Sequence, residues 1–251
     1  MTTKKSTKTT SVLPVDRPGE GETLEAFLRR HYGAHPGQVA FLKSTAKWRC
    51  VVAGIGGGKT ELGAFDVIRH IAGNPGIRVA CASPTYRMLD RSMKPAFRKV
   101  LSWYGDFLPY EEHKSDQMFT FPSKRGPDGQ PAQIIFCHGG DADSIRAFDA
   151  GFVWLDEAPL CKEDVFRTLL GRLRQPGMTK RGILTGTPKG MNYVYRQFVE
   201  GRDSWDRERR RTYAFFTWPS YQNPLYAVEP TYIEDLKTVY VEGSDWYRQE
   251  V

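Results

Sequence analysis

The sequence lacks the features that mark membrane-spanning, secreted and zinc-binding proteins. No apolar run in its 251 residues approaches the roughly 20 residues of a membrane span, and the polar N-terminus has no apolar core of a signal peptide. Its few cysteines contain no Cys-x-x-Cys pair; they are Cys50, Cys81, Cys137 and Cys161. Because three of them lie in apolar stretches, we expect buried thiols in a reducing compartment rather than disulfides or a zinc site.

The charge balance is basic, with 36 Lys and Arg against 29 Asp and Glu, a net charge of +7. This balance permits binding to a polyanion such as DNA, but a solvated basic face explains it equally well. Residues 1–22 are rich in Thr, Lys, Pro and Gly, which predicts a disordered arm. Its lysines either contact nucleic acid or remain solvated.

Short apolar segments alternate with helical patterns, which predicts an α/β fold with a mostly parallel sheet flanked by helices in three layers. We place the core at residues 23–211 and a small lid or linker at 212–251. Strands are predicted in 48–54, 77–84, 117–122, 132–139, 151–159, 181–190 and 211–220, and helices in 23–33, 61–73, 91–105, 162–177, 191–201 and 229–251, with a short one after Pro36.

The segment "VVAGIGGGKT" carries the strongest motif. It matches the end of the phosphate-binding consensus G-x-x-x-x-G-K-[ST], with Ala53 at the first position. Glycines let the backbone wrap a phosphate, and the helix that follows adds its positive end. The alternative is a glycine-rich turn without a ligand. The predicted phosphate-binding residues are Gly54, Gly56, Gly57, Gly58, Lys59 and Thr60, with Thr60 also on Mg²⁺.

Two further strand ends carry polar groups. "GFVWLDEAP" ends in Asp156 and Glu157, where an Asp can support Mg²⁺ and an adjacent Glu can activate water for hydrolysis. "LTGTPKG" places Thr185 and Thr187 at the same predicted sheet edge, where a side chain can sense the γ-phosphate. Taken alone, the first segment could be two surface acids at the end of a strand, and the second a plain turn.

From about residue 35 onward, the order and spacing of these segments resemble the large subunit of a tailed-phage terminase, the DNA-packaging motor. The resemblance implies a P-loop NTPase of the ASCE or RecA-like type that uses ATP and Mg²⁺. "HPGQVAFLK" resembles the adenine-side glutamine motif, so Gln38 would read the adenine. "ASPTYRMLD", "SIRAFDAGFVWLDEAP", "TGTPKG" and "WYRQEV" resemble further family segments.

The resemblance also places Arg146 where family members carry an arginine before the acidic strand. It would act in trans as an arginine finger, although a surface arginine paired with Asp143 or Asp149 is the alternative. Three departures concern γ-phosphate sensing rather than nucleotide binding: Ala53, Ile55 in place of a frequent loop arginine, and Ala147 in place of a frequent glycine.

The implied partners are double-stranded DNA, further copies of the chain in a ring, a portal protein and a small terminase subunit. The implied location is the host cytoplasm, transiently on the procapsid portal, with no membrane association. Basic segments 123–131 and 189–213 are candidate DNA surfaces, but interleaved acids also fit a solvated face. Family members continue into an endonuclease domain beyond the point that corresponds to Val251, so we expect no nuclease activity from this chain.

The expected function is therefore ATP hydrolysis coupled to translocation of double-stranded DNA into a viral capsid. A helicase-like ATPase that remodels nucleic acid is one alternative, against which stands the lack of a second motor domain in the sequence. An assembly module that binds ATP with little turnover is the other.

Overall fold

A computed structural model describes residues 26, 28, 32–140, 145–224, 231–240 and 243–244. The strands are β1 Trp48–Ala53, β2 Arg78–Ser83, β3 Glu111–His113, β4 Met118–Arg125, β5 Pro131–His138, β6 Phe152–Leu155, β7 Arg181–Gly186 and β8 Tyr213–Trp218. The α-helices are α1 Pro36–Lys43, α2 Lys59–Gly73, α3 Lys94–Tyr104, α4 Glu163–Arg172, α5 Tyr193–Phe198, α6 Arg207–Thr212 and α7 Thr231–Val239. A helical turn at Tyr86–Met88 and a π-helix at Leu89–Met93 precede α3.

The described strands form one sheet in the order β3-β4-β5-β2-β6-β7-β1-β8. The strands from β5 to β8 in this order run parallel, and β4 is antiparallel to both β5 and β3. Parallel neighbours require crossover connections, and helices supply most of them here. The predicted α/β fold with a mostly parallel sheet is confirmed.

Two apolar layers cover the sheet. On one face α2 and α3 pack against residues such as Trp154, and on the other α4 and α5 pack against residues such as Trp48. The close approach of α2 depends on Gly63, since a Cβ there would lie 2.4 Å from a ring carbon of Trp154. The sheet is therefore the middle layer of three, and both faces are buried.

Sequence periodicity located the predicted strands and most helices correctly. It missed β3, which has only three residues, and α6, whose Arg run also fits a solvated charged face. Pro95 lies in the first turn of α3 as predicted. The 1–22 arm, most of the 23–33 helix, and the "WYRQEV" segment lie outside the described residues.

The domain boundary at residue 212 remains a prediction. β8 pairs with β1 along its whole length, from Trp48 opposite Tyr213 to Ala53 opposite Trp218. The central sheet therefore extends past residue 212, and a separate lid would have to begin after Trp218.

The four cysteines are free and buried, as predicted. Burial raises the pKa of the Cys137 and Cys161 thiols to about 12. No described helix has the length and apolar character to cross a membrane.

A buried ion pair joins the sheet to α2. Arg49 on β1 and Asp66 on α2 are both fully buried, and their side chains form a bidentate pair at 3.2 and 2.5 Å. Burial alone would raise the pKa of Asp66, but the charges of Arg49, His70 and Arg69 lower it to about 2. Since this pKa is lowered, the pair contributes stability above the ordinary pKa of aspartate and loses it as the pH falls toward 2.

We expect Asp66→Asn to lower the free energy of unfolding by about 3–5 kcal/mol, because it leaves the Arg49 guanidinium buried without a counter-charge. The matched control is the double variant Arg49→Met with Asp66→Leu, which we expect to lie within about 2 kcal/mol of the unchanged protein. Urea denaturation at pH 7 measures both. Equal losses in the two variants would contradict the assignment of the loss to an unpaired charge.

Candidate functional site

The glycine-rich loop lies between β1 and α2, at the carboxyl edge of the parallel strands. Gly56 and Gly58 have φ of 70° and 75°, in the left-handed region that favours glycine. At Gly58 space is also limiting, because a Cβ would lie 2.6 Å from Nε2 of Gln38. The loop therefore has the backbone geometry of an anion-binding nest at a helix N-terminus.

Lys59, the first residue of α2, is buried and lies across this loop. Its ammonium donates to the backbone carbonyls of Ala53 and Gly54, both at 2.8 Å. The first consensus position thus contributes a main-chain oxygen, which alanine supplies as well as glycine. This explains in physical terms why Ala53 is compatible with the loop.

Asp156 connects three elements that the sequence keeps far apart. Its carboxylate accepts from the Thr185 hydroxyl on β7 at 2.6 Å and from the Thr60 hydroxyl on α2 at 3.4 Å. Trp154 in turn donates its indole N–H to Thr185 Oγ1 at 2.8 Å. Burial and the neighbouring charge of Glu157 raise the pKa of Asp156 to about 6. The predicted metal residues Thr60 and Asp156 are therefore adjacent.

Glu157 has a left-handed backbone, with φ of 47° and ψ of 42°. This conformation costs a non-glycine residue about 1–3 kcal/mol, and such residues cluster at functional sites. It turns the half-buried side chain so that Oε2 accepts from the backbone N–H of Thr187 at 3.2 Å. A hydrogen bond thus joins the acidic strand end to the Thr-Gly-Thr segment. The sequence predicted that both lie at one edge of the sheet.

The glycine-rich loop, Lys59, Thr60, Glu157 and Thr187 border an open cavity of about 470 Å³, within the size range of ligand pockets. It is lined by Ile55, Gly56, Gly57, Gly58, Lys59, Thr60, Glu61, Arg91, Ser92, Ala96, Glu157, Thr187 and Asn223. The cavity combines backbone N–H groups, a lysine, a hydroxyl and carboxylates. That combination suits a phosphate ester with a bound cation and a carboxylate placed to accept a proton from water.

Three side chains at the end of β8 and just after it bond to carbonyl groups of the loop, and no sequence motif singled them out. Trp218 Nε1 donates to Gly57 O at 2.8 Å, Ser220 Oγ to Ile55 O at 2.6 Å, and Asn223 Nδ2 to Gly56 O at 2.5 Å. These bonds occupy three consecutive carbonyls of the loop, and the N–H of Gly57 bonds to the Gly54 carbonyl at 3.2 Å within the loop itself. The one sequence signal was a cluster of polar residues directly after a strand.

Gln38 lies behind the loop, where it is buried. Its Nε2 donates to the Tyr32 hydroxyl at 3.0 Å, which donates to Gly58 O at 2.8 Å. Its Oε1 accepts from the backbone N–H of His35 at 3.1 Å, as part of a capping box at the start of α1. The described geometry thus gives Gln38 a role in supporting the loop, and adenine recognition by Gln38 stays a prediction.

Arg146 is separate from this cavity. It is exposed, it borders a different cavity with Arg167 and Thr168 of α4, and its backbone carbonyl accepts from Arg172 Nη1 at 3.1 Å. Asp149, one of its alternative partners, binds Arg174 Nε at 2.6 Å, and Asp143 lies outside the described residues. The structure thus unites the other predicted catalytic and phosphate residues and leaves Arg146 on another surface.

Comparison with known proteins identifies the family. A family model described as "Terminase large subunit, T4likevirus-type, N-terminal" matches residues 50–243. Curated relatives are the large terminase subunits of Thermus phage G20c and Thermus virus P23-45. Each is 26% identical over an alignment of 188 residues, and the match covers 68% of this chain and 37% of the relative. The chain thus spans well under half the length of these relatives.

Solved structures share the fold. The large terminase of a thermophilic bacteriophage in complex with ADP has a TM-score of 0.69 at 16% identity, over 87% of this chain and 52% of that chain. The complex of the same terminase with ATP-gamma-S has a TM-score of 0.65 at 17% identity, over 86% and 51%. The large terminase ATPase domain of Thermus phage P74-26 has a TM-score of 0.62 at 19% identity, over 91% and 96%.

We expect Asp156→Asn to stabilise the protein free of nucleotide and metal, and to do so in a pH-dependent way. A folded-state pKa of about 6 means that the ionised carboxylate weakens the fold progressively as the pH rises from about 4 to 6. The gain from Asn should therefore be about 2 kcal/mol larger at pH 8 than at pH 4.5.

Urea denaturation in the presence of EDTA at these two pH values measures the gain. Thr185→Val should have the opposite sign: it keeps the charge but removes a hydrogen bond to the carboxylate, so it should destabilise the fold, and more at pH 8 than at pH 4.5. A gain that does not change with pH would contradict the raised pKa.

Proposed function

The chain belongs to the terminase large subunit family, in its N-terminal part, and from this premise we propose that it is the Mg²⁺-dependent ATPase domain of a DNA-packaging motor. In this proposal, ATP hydrolysis drives double-stranded DNA into a viral procapsid. The observation that carries it is a cavity lined by Lys59, Thr60 and Glu157, with the buried carboxylate of Asp156 hydrogen-bonded to the Thr60 hydroxyl. A site that only binds phosphate would not need the carboxylate of Glu157 in addition to that of Asp156.

Nucleotide binding follows from the loop. Its backbone N–H groups and the N-terminus of α2 would bind the β-phosphate, and the Lys59 ammonium would exchange two carbonyl oxygens for β- and γ-phosphate oxygens. The fold neighbour from a thermophilic bacteriophage was solved with ADP and with ATP-gamma-S, which supports the same ligand class here.

The donor set fits Mg²⁺ bound jointly with phosphate. Mg²⁺ takes oxygen ligands and commonly uses only one or two protein groups, which Thr60 Oγ1 and the Asp156 carboxylate would supply. Among the described residues no group of three or more His, Cys, Asp or Glu could hold a metal by itself, so phosphate oxygens and water would complete the shell. When bound, the ion neutralises charge on the phosphates. Since the pKa of Asp156 is about 6, metal affinity should fall below that pH.

Glu157 is the proposed general base. Its carboxylate borders the cavity, so it can accept a proton from a water molecule in line with the γ-phosphate. The same carboxylate holds the backbone N–H of Thr187. A change in the charge around Glu157 would therefore alter its contact with Thr187, while Thr185 on β7 is joined to the site through Asp156; these two contacts give Thr187 and Thr185 their proposed coupling role.

Arg146 is proposed to complete the site of a neighbouring copy. Its exposure and its place outside the cavity of its own chain support action in trans, with the guanidinium against the γ-phosphate of the next subunit in a ring. The proposal also includes action on the procapsid portal in the host cytoplasm and contact with a portal protein and a small terminase subunit. It further includes the absence of nuclease activity in this chain.

Glu157→Gln should lower kcat for ATP hydrolysis by at least about 10²-fold, because the amide cannot accept the proton of water. Its oxygen can still accept from Thr187, so ADP affinity should change less than twofold. Glu163→Gln, at a half-buried glutamate of α4 that does not line the cavity, is the matched control and should keep full activity. ATP binding without hydrolysis by the unchanged chain would instead support the assembly-module alternative, and strand separation of duplex DNA would support the helicase-like one.

Subunit mixing tests Arg146. Arg146→Ala and Glu157→Gln should each be nearly inactive alone, and a mixture should recover part of the activity. Recovery is expected because an Arg146→Ala subunit keeps its own acids and would receive the intact arginine of its neighbour. ATPase rate against the mixing ratio measures this. Lack of recovery, with rates per subunit that do not depend on protein concentration, would exclude action in trans.

A further inference from the structure

The π-helix Leu89–Met93 presents an arginine to the phosphate cavity. Within this wide turn the N–H of Lys94 bonds back to the carbonyl of Leu89, and the side chains of Leu89 and Met93 are fully buried. These two anchors direct the intervening residues outward, and Arg91 and Ser92 line the cavity. π-turns inside helices are rare and occur frequently at functional sites.

Arg91 is an available cation. In the described part of the chain no hydrogen bond or ion pair engages its guanidinium, and the side chain is exposed. The neighbouring acid Asp90 is bonded to Lys94 Nζ at 2.6 Å. Glu61, which lines the same cavity, is bonded to Lys99 Nζ at 2.8 Å. Both acids are thus occupied by lysines, and Arg91 stays free to meet an anion.

Strand order shows which end of the cavity Arg91 faces. The loop follows β1, with β8 on one side of that strand and β7, β6 and then β2 on the other. Asn223, after β8, borders one end, whereas Glu157 follows β6 and Arg91 follows β2. Since the proposed base Glu157 lies on the β6 side, the reacting terminal phosphate must lie there too, and Arg91 is one strand further in the same direction.

Charge supports the same placement. Among the described residues that line the cavity, the cations are Lys59 and Arg91, and the anions are Glu61 and Glu157. A nucleoside triphosphate carries about four negative charges, so a second cation at the terminal phosphate would be favourable. A guanidinium also matches two phosphate oxygens at once, which a lysine does not.

We propose that Arg91 binds the terminal phosphate of the nucleotide within its own subunit and so distinguishes a triphosphate from a diphosphate. The inference rests on the proposed nucleotide site and adds to it a residue that reads the γ-phosphate. It also explains the π-helix: the wide turn places the long side chain of Arg91 across from the loop, while Leu89 and Met93 stay in the core.

The test compares the affinities of Arg91→Ala, Arg91→Lys and Arg87→Ala for ATP-gamma-S and for ADP, by calorimetric titration with Mg²⁺. Arg87 is a matched control because it is an exposed arginine in the preceding turn that does not line the cavity. We expect Arg91→Ala to weaken ATP-gamma-S about tenfold or more and ADP less than twofold, with Arg91→Lys intermediate and Arg87→Ala unchanged.

Each outcome of the titrations decides one point. Unchanged ATP-gamma-S affinity in Arg91→Ala, or an equal loss for both nucleotides with an unchanged melting temperature, would overturn the assignment of Arg91 to the terminal phosphate. If the unchanged chain bound neither nucleotide, the proposed function itself would fail. Selective loss of ATP-gamma-S binding in Arg91→Ala alone supports the inference.

Discussion

The carboxylate of Asp156 is the contact on which the candidate site depends. It accepts hydrogen bonds from hydroxyls on α2 and on β7 while its own residue directly follows β6. A single side chain thereby joins the start of α2, the acidic strand end and the Thr-Gly-Thr segment. Because this carboxylate lies among three packed elements, it is buried, and burial raises its pKa. A cation that shares the carboxylate would relieve that unfavourable burial.

The parallel sheet makes this meeting possible. Residues 53, 156 and 186 are far apart in the chain, but their strands are neighbours and end at the same edge. The buried pair of Arg49 and Asp66 fixes α2 on β1 beneath the loop. The left-handed backbone of Glu157 is tolerated because β6, β7 and the close contact of Pro159 with Gly186 hold the turn in place.

Local patterns were sufficient to predict most of the strands and helices, and to select residues that the structure places around the glycine-rich loop. Apolar runs indicate buried strands. The glycines, Lys-Thr and Asp-Glu each follow such a run, so a site at strand ends can be predicted before the order of the strands in the sheet is known. Contacts over long sequence separations were not predictable in this way. Trp218 and Asn223 reach the loop across more than 160 residues, and no local pattern indicates that pairing. The π-helix was also missed, since its residues fit an ordinary helical period.

The three hydrogen bonds from residues 218–223 to the loop give the end of β8 a mechanical role. They hold the carbonyls of Ile55, Gly56 and Gly57, which are consecutive in the chain. A rotation of any of these peptide groups must therefore either break a hydrogen bond or displace the segment after β8. A displacement of the segment after β8 would therefore reach the glycine-rich loop through these three hydrogen bonds.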